Sequence, residues 1–327
     1  MKAAFINVFG PPEAITYGDL PEPHVGAQDV LVKVDAVTVD PIDTYVRNGS
    51  YRTAVTFPFI IGRDMTGTVA QTGRDVTSFR SGDSVWANNQ GYAGRQGTFA
   101  EYCSIDESLL YHLPANSDPA QTVIVVHSAL TAVVGLCFRA HLNEGESVFV
   151  NGGDGNVGTA VLQIAKAKGA RVAVTAGNSA KAAWCRDLGA DLVINYKTEN
   201  LRQRILDFAP GGVDLYWDTT LKPDLAQAVD VTAQRGRIVL IAGRSHESVF
   251  PVGSFYLKNL TLYGFTVSDA TPAELGEYAR EINRYLEHGV PKGKTACLLP
   301  LARAAEAHRM VENGGLFGKV VLLPSAG

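Results

Sequence analysis

Residues 148 to 158 read Val-Phe-Val-Asn-Gly-Gly-Asp-Gly-Asn-Val-Gly. Gly153, Gly155 and Gly158 fit the spacing Gly-x-Gly-x-x-Gly, with Asp154, Asn156 and Val157 between them. Glycine-rich turns are common, so the pattern gains meaning only from its setting. An apolar strand precedes it. The helix that follows carries Val157, Ala160, Val161, Ile164 and Ala165 on one face. In that setting Gly153 permits a tight turn, Gly155 lets the backbone approach a pyrophosphate, and Gly158 lets the helix pack against the strand. The helix N-terminus then offers unpaired N–H groups and the positive end of its dipole to phosphates. The chemistry implied is the binding of a dinucleotide.

The end of the next strand bears on which dinucleotide. An NAD site usually places Asp or Glu there, to accept from the ribose hydroxyls. Here the chain reads Val174-Thr175-Ala176-Gly177-Asn178-Ser179, without an acid. Small and hydroxylated residues leave room for a 2′-phosphate, and a carboxylate would repel one. Lys181 follows in the first turn of the next helix as a source of positive charge. Tyr196, at the end of the third strand, can reach the adenosine. NADPH is therefore the expected cofactor. A solvated lysine is the plainer reading of Lys181, and the missing acid is the stronger signal.

These residues need a parallel sheet beneath them, and the sequence supplies its rhythm. Strands are expected at Ser147–Val150, Arg171–Thr175, Leu192–Asn195, Asp214–Thr219, Arg237–Ala242 and Thr261–Thr266. Helices are expected between them at Asn156–Lys168, Ala180–Leu188, Glu199–Phe208 and Pro223–Gln234, with a shorter segment bridging the last two strands. That alternation predicts an α/β fold with a parallel sheet covered on both faces. The first third is different. Asp29–Val39 is dense in β-branched residues, and strand-like pieces at Met65–Ala70, Ser84–Ala87 and Thr98–Ile105 are punctuated by Gly73, Gly82 and Gly91. A compact, barrel-like β domain is expected there. Thr122–Leu136 is apolar and helix-like. In the tail, Thr271-Pro272-Ala273-Glu274 opens a helix, with Thr as N-cap, Pro at N1 and Glu at N3. A second helix at Ala302–Glu312 precedes a final strand at Lys319–Leu323.

The 327 residues are 46% hydrophobic and 19% charged, which allows a buried core. The formal net charge of −4 leaves no basic footprint for nucleic acid. The four cysteines, Cys103, Cys137, Cys185 and Cys297, are too scattered for a disulfide framework or a metal knuckle. A reducing cytoplasm is compatible with them. The start of the chain lacks the apolar core of a signal peptide. No uninterrupted apolar stretch reaches the ~18–20 residues of a membrane span, since His127 and Ser128 break the Val123–Leu136 region.

With these residues in view, the chain resembles the zinc-independent quinone oxidoreductases (zeta-crystallin-like) of the medium-chain dehydrogenase/reductase superfamily. The carrying motifs are residues 36–51, Ala-Val-Thr-Val-Asp-Pro-Ile-Asp-Thr-Tyr-Val-Arg-Asn-Gly-Ser-Tyr, then 62–69, Gly-Arg-Asp-Met-Thr-Gly-Thr-Val, and 97–102, Gly-Thr-Phe-Ala-Glu-Tyr. The glycine loop, Ile194-Asn195-Tyr196 and Gly318-Lys319-Val320-Val321-Leu322 also fit. The resemblance spans essentially the whole chain. It implies a GroES-like catalytic domain over 1–121 and 267–327, with a six-stranded, doubly wound Rossmann domain inserted over 122–266. It further implies Thr131 beside the nicotinamide carboxamide, and Gly177, Ser179, Lys181 and Tyr196 around the 2′-phosphate. Gly243 and the Phe265–Val267 segment would line the nicotinamide side, and Lys319 would approach the cofactor from the tail. Two features depart from the family. Asp40 stands where Asn is usual, so a carboxylate would tune polarity or pKa near the nicotinamide. Asn151, Gly152 and Asn156 alter the glycine loop.

Zinc-dependent relatives bring a Cys, a His-Glu pair and a further Cys or His to the metal. Here Asp40 and Gly62-Arg63-Asp64 stand at the first two places, the cysteine-rich structural lobe is missing, and no two histidines have helical ligand spacing. No metal is expected. Without a Lewis acid, hydride acceptors that work through conjugation fit best: quinones or α,β-unsaturated carbonyls. Tyr45 and Tyr51 are the candidates to hydrogen-bond the developing enolate or donate a proton, and Tyr51 matches the catalytic tyrosine of related enoyl-thioester reductases. Two rival readings are an enoyl-thioester reductase and a protein that binds NADPH without turnover. A homodimer is expected through the sixth strand, near Asn259–Val267, an apolar sheet edge without lysine or proline to block pairing.

Overall fold

The computed structural model describes residues 1–324. The chain forms two compact units: Met1–His127, Ser268–Glu287 and the residues from Gly293 on make the first, and Ser128–Val267 with His288–Lys292 the second. It is an α/β fold with a β-rich part and a parallel six-stranded sheet.

The first unit begins with β1 (Lys2–Ile6), β2 (Ile15–Asp19) and the long β3 (Asp29–Val39). Residues of β3 alternate between buried and accessible up to Asp35, then stay buried to Val39. A short helix without a helical period in its sequence, α1 (Pro41–Arg47), follows directly. It spans seven residues, too few for a helical period to show. Its start is nevertheless encoded by Pro41 at N1 and Asp43 at N3. The strands β4 (Phe59–Ile60), β5 (Met65–Thr72), β6 (Ser84–Ala87), β7 (Tyr102–Asp106) and β8 (Tyr111–His112) complete this stretch. The strand expected from Thr98 starts only at Tyr102, because residues 98–101 make scattered bonds, such as Ala4 N–H to the Phe99 carbonyl at 2.8 Å.

Helix α2 (Pro119–Val133) continues through a π-helical turn to Arg139. The whole is 21 residues, long and apolar enough by composition to cross a membrane, so His127 and Ser128 do not interrupt it as expected. Most of its apolar window, 78%, is buried, as in the core helix of a globular fold.

The second unit runs β9 (Ser147–Asn151), α3 (Asn156–Ala167), β10 (Arg171–Ala176), α4 (Ser179–Asp187), β11 (Leu192–Asn195), α5 (Leu201–Phe208), β12 (Val213–Asp218), α6 (Leu225–Val231), β13 (Thr232–Leu240), α7 (Val252–Leu257) and β14 (Thr261–Gly264). All six strands are parallel, in the order β11-β10-β9-β12-β13-β14, the doubly wound arrangement. α6 is shorter than the expected Pro223–Gln234. Its C-cap Thr232 is already extended, and β13 starts there.

The tail returns to the first unit as α8 (Pro272–Leu286), β15 (Thr295–Pro300), α9 (Ala304–Asn313) and β16 (Lys319–Leu323). Thr271 and Glu274 form the expected capping box of α8. β16 lies antiparallel to β3, with Val320 opposite Val39. One step further along that register brings Lys319 opposite Asp40.

Candidate functional site

In a parallel sheet all strands end on one edge, and ligands bind there at the point where strand order reverses. In the second unit β9 is central, between β10 and β12. The chain leaves β9 at Gly152, whose φ of +80° strains any residue with a Cβ. The tight turn thus falls one residue before Gly153. Gly153 is required for another reason: a Cβ there would lie 2.4 Å from Cβ of Val174. A Cβ on Gly158 would lie 2.2 Å from the Gly152 carbonyl oxygen, so α3 can start this close to the loop only with glycine. At Gly155 the nearest atom to an added Cβ is 3.4 Å away, so packing does not demand glycine; the bare backbone is what a ligand would meet. Gly152 N–H donates to Thr175 Oγ1 at 2.7 Å, and Thr219 Oγ1 donates to the Gly152 carbonyl at 3.2 Å, which braces the loop from both neighbouring strands. No side chain caps the first turn of α3, formed by Asn156, Val157 and Gly158. The bare loop, the uncapped helix start and the open backbone at Gly155 fit a pyrophosphate.

Beside this loop, the end of β10 gathers four of the expected residues. Gly177 N–H donates to Asp154 Oδ2 at 2.9 Å. Lys181 Nζ lies 3.5 Å from the same oxygen. A Cβ on Gly177 would stand 3.0 Å from the Tyr196 hydroxyl, so the tyrosine roofs the glycine. Ser179 is exposed at the start of α4, whose N-cap is Asn178, accepting from Lys181 N–H at 3.0 Å. The sequence counts Asp154 among the cofactor-binding residues of the glycine loop, but it does not foretell that the carboxylate reaches the end of β10. Its signal was an acidic residue inside the glycine loop itself.

The remaining residues expected in this unit also follow strand ends or lie on α2. Gly243 comes three residues after β13 with φ +84°. The Phe265 ring, just past β14, packs edge-on against Trp217 at 6.4 Å. Val267 is half-buried and Thr131 buried.

In the first unit the register of β16 on β3 joins the ends of the chain at a buried ion pair, Lys319 Nζ to Asp40 Oδ1. Both side chains are almost wholly enclosed. Thr38 Oγ1 donates to Asp40 Oδ2 at 3.3 Å, and Asp40 N–H donates to Asp43 Oδ2 at 2.7 Å, closing the N-terminus of α1. Asp64, just before β5, pairs with His127 of α2, Oδ2 to Nδ1 at 3.0 Å. Arg63, also buried, donates to Ser268 Oγ at 2.9 Å and to Asn89. Sequence reading named Asp40 and Lys319 but not their pairing, and missed Asp43 and the Asp64–His127 pair altogether.

The charges in this cluster set one another's protonation. Burial alone would raise the Asp40 pKa, but the Lys319 ammonium and His127 overcome it and hold the carboxyl well below the usual range. Burial, reinforced by the charge of Asp40, pushes Asp43 up to about 8. Burial would lower His127, yet Asp40 and Asp64 outweigh it and raise its pKa. One possible donor atom each from Asp40, Asp64 and His127 lies within 4.8 Å of the others. The same Asp40 carboxylate already holds the Lys319 ammonium.

Tyr45 sits half-buried on α1, and Tyr51 N–H donates to its carbonyl at 3.0 Å. The Tyr51 ring tilts against Tyr92 at 6.1 Å, and the Arg63 guanidinium stands over Tyr92 at 5.6 Å. The two candidate tyrosines and Asp40 thus belong to one neighbourhood built on α1.

Comparison with known proteins is consistent along the whole chain. The family model described as alcohol dehydrogenase GroES-like domain matches residues 26–115, and that described as zinc-binding dehydrogenase matches 156–284. The quinone oxidoreductase of Mus musculus is 30% identical over 328 residues, covering 99% of this chain and 98% of the relative. The chloroplastic NADPH-dependent alkenal/one oxidoreductase of Arabidopsis thaliana is 31% identical over 314 residues, covering 92% of this chain and 74% of the relative. A mycobacterial structure solved with NADPH superposes with a TM-score of 0.84 at 28% identity, covering 99% of this chain and 100% of that one.

Proposed function

Since the chain belongs to the quinone oxidoreductase family of the medium-chain dehydrogenase/reductase superfamily, we propose that it is an NADPH-dependent reductase that passes hydride to a quinone or an α,β-unsaturated carbonyl without zinc. The observation that carries this reading is the glycine loop at the end of β9, with Lys181 and Tyr196 gathered at Gly177 beside it. Both substrate classes are represented among the relatives, a quinone reductase and an alkenal/one reductase.

The loop N–H groups and the start of α3 would hold the pyrophosphate, and Lys181, Ser179 and Tyr196 the 2′-phosphate. Thr131, Gly243, Phe265 and Val267 would border the nicotinamide. When bound, NADPH supplies a hydride. Binding and orientation are then this chain's work. The hydroxyl of Tyr51, or of Tyr45, holds a proton for the oxygen on which negative charge develops.

A zinc ion does not fit the donors present. Asp40 is committed to the Lys319 ammonium, and Arg63 adds a second buried cation next to Asp64. A dication would have to enter against both.

The test is NADPH consumption with a small quinone and a small enone after exhaustive chelation. Full turnover with both is expected. Activity lost on chelation and restored by one zinc per chain would overturn the reading.

A further inference from the structure

A dinucleotide fold reads the adenosine ribose at the end of its second strand. There a carboxylate accepts from the 2′- and 3′-hydroxyls of NAD, whereas positive charge receives the 2′-phosphate of NADP. β10 ends without an acid of its own, at Gly177-Asn178-Ser179. A carboxylate nevertheless stands at that corner, delivered from the glycine loop. Asp154 Oδ2 is held 2.9 Å from Gly177 N, so its position is fixed by the backbone of the strand end itself. It lies 3.5 Å from Lys181 Nζ, and both side chains are largely enclosed, 14% and 22% exposed. At such a distance an anion cancels most of the field of its partner cation.

We propose that Asp154 is the residue that sets cofactor selectivity: its carboxylate accepts from the ribose hydroxyls of an unphosphorylated dinucleotide and offsets Lys181, so the site takes NADH as well as NADPH. The inference rests on the dinucleotide reading above. A 2′-phosphate carries close to two negative charges at neutral pH. On arriving here it meets a lysine already matched by a carboxylate and gains little over a bare hydroxyl. The hydroxyl, in turn, finds in Asp154 the acceptor that the strand end lacks. Gly177 leaves the corner without a side chain, and the Tyr196 ring covers it in either case.

The experiment measures binding alone. The full chain, wild type and the variants Asp154→Ser and Asp154→Asn, is titrated calorimetrically with 2′,5′-ADP and with 5′-AMP. These two probes differ only by the 2′-phosphate. The wild type should bind both within about tenfold of each other. Both variants should raise the ratio in favour of 2′,5′-ADP by tenfold or more, because Lys181 is released and the ribose acceptor lost. Asp154→Asn keeps an oxygen for the Gly177 N–H, so it reports the charge even if the serine variant fails to fold. A wild type that binds both probes, with a ratio unmoved in the variants, overturns the role of Asp154 and leaves the dinucleotide reading intact. A wild type that binds neither probe overturns both.

Discussion

Asp40 and Lys319 are 279 positions apart in sequence and meet in a buried ion pair. Each is stable in place only because of the other, since an isolated buried charge costs far more than a pair. Asp40→Asn is therefore expected to destabilise this chain by about 3–5 kcal/mol. Urea unfolding of the two proteins checks this, and equal stability would show that Lys319 finds another counter-charge. Lys181 makes a second residue-level prediction. Lys181→Ala removes the cation and leaves the Asp154 carboxylate facing the 2′-phosphate, so NADPH should weaken markedly and NADH hardly at all. Equal weakening of both would assign Lys181 to general packing. For Tyr51, replacement by Phe keeps the ring against Tyr92 and removes only the hydroxyl. Enone turnover should fall by roughly 10²–10⁴-fold if that hydroxyl donates the proton. A quinone should suffer less, because its aromatic product can take protons from water. Unchanged enone kcat would make Tyr51 a wall of the site.

Helix α1 carries a pH dependence that belongs to the element rather than to one contact. Its N-terminus is closed by Asp43, whose carboxyl is pushed by burial and by Asp40 from 3.8 up to about 8. A folded-state pKa above the unfolded one gives stability that is present in full below about pH 4 and is lost as pH rises through about 8. Asp43→Asn cannot ionise and keeps an acceptor for the Asp40 N–H. Its Tm should accordingly gain on the wild type between pH 5 and pH 9, and a constant Tm difference across that range would contradict the assignment. The same element shows what could be read in advance. The α8 start at Thr271-Pro272-Ala273-Glu274 was legible because a capping box is local, and the six parallel strands because strand–helix alternation is periodic. Asp40-Pro41 with Asp43 encodes α1 in the same way, but its seven residues offer no period to confirm it. The Asp64–His127 pair had no local signature at all. It forms only where the segment before β5 meets α2, and the histidine looked like an interruption of an apolar stretch. The reach of Asp154 to Gly177 was hidden for a similar reason: it crosses from one strand's loop to its neighbour's.

At the scale of the molecule, β14 closes one edge of the six-stranded sheet. Leu262 on that strand and Val252, Tyr256 and Leu257 on α7 expose apolar surface. An edge strand with unpaired backbone groups and apolar neighbours tends to find another strand. We propose that a second copy pairs there across a two-fold axis, an isologous contact. Sedimentation should show a dimer at micromolar concentration, and Leu262→Pro, which removes a donor from the edge, should yield monomers. A wild type that sediments as a monomer would end the proposal. The core of the proposed function is hydride transfer from NADPH. The most direct measurement uses NADPH carrying deuterium on one face of nicotinamide C4, a small enone as acceptor, and mass spectrometry of the product. With the deuterium on the transferred face, the saturated ketone should carry one carbon-bound deuterium per NADPH consumed; with it on the opposite face, none. A product unlabelled from both forms of NADPH, or an enone left unreduced while a quinone is left unreduced as well, would contradict the account.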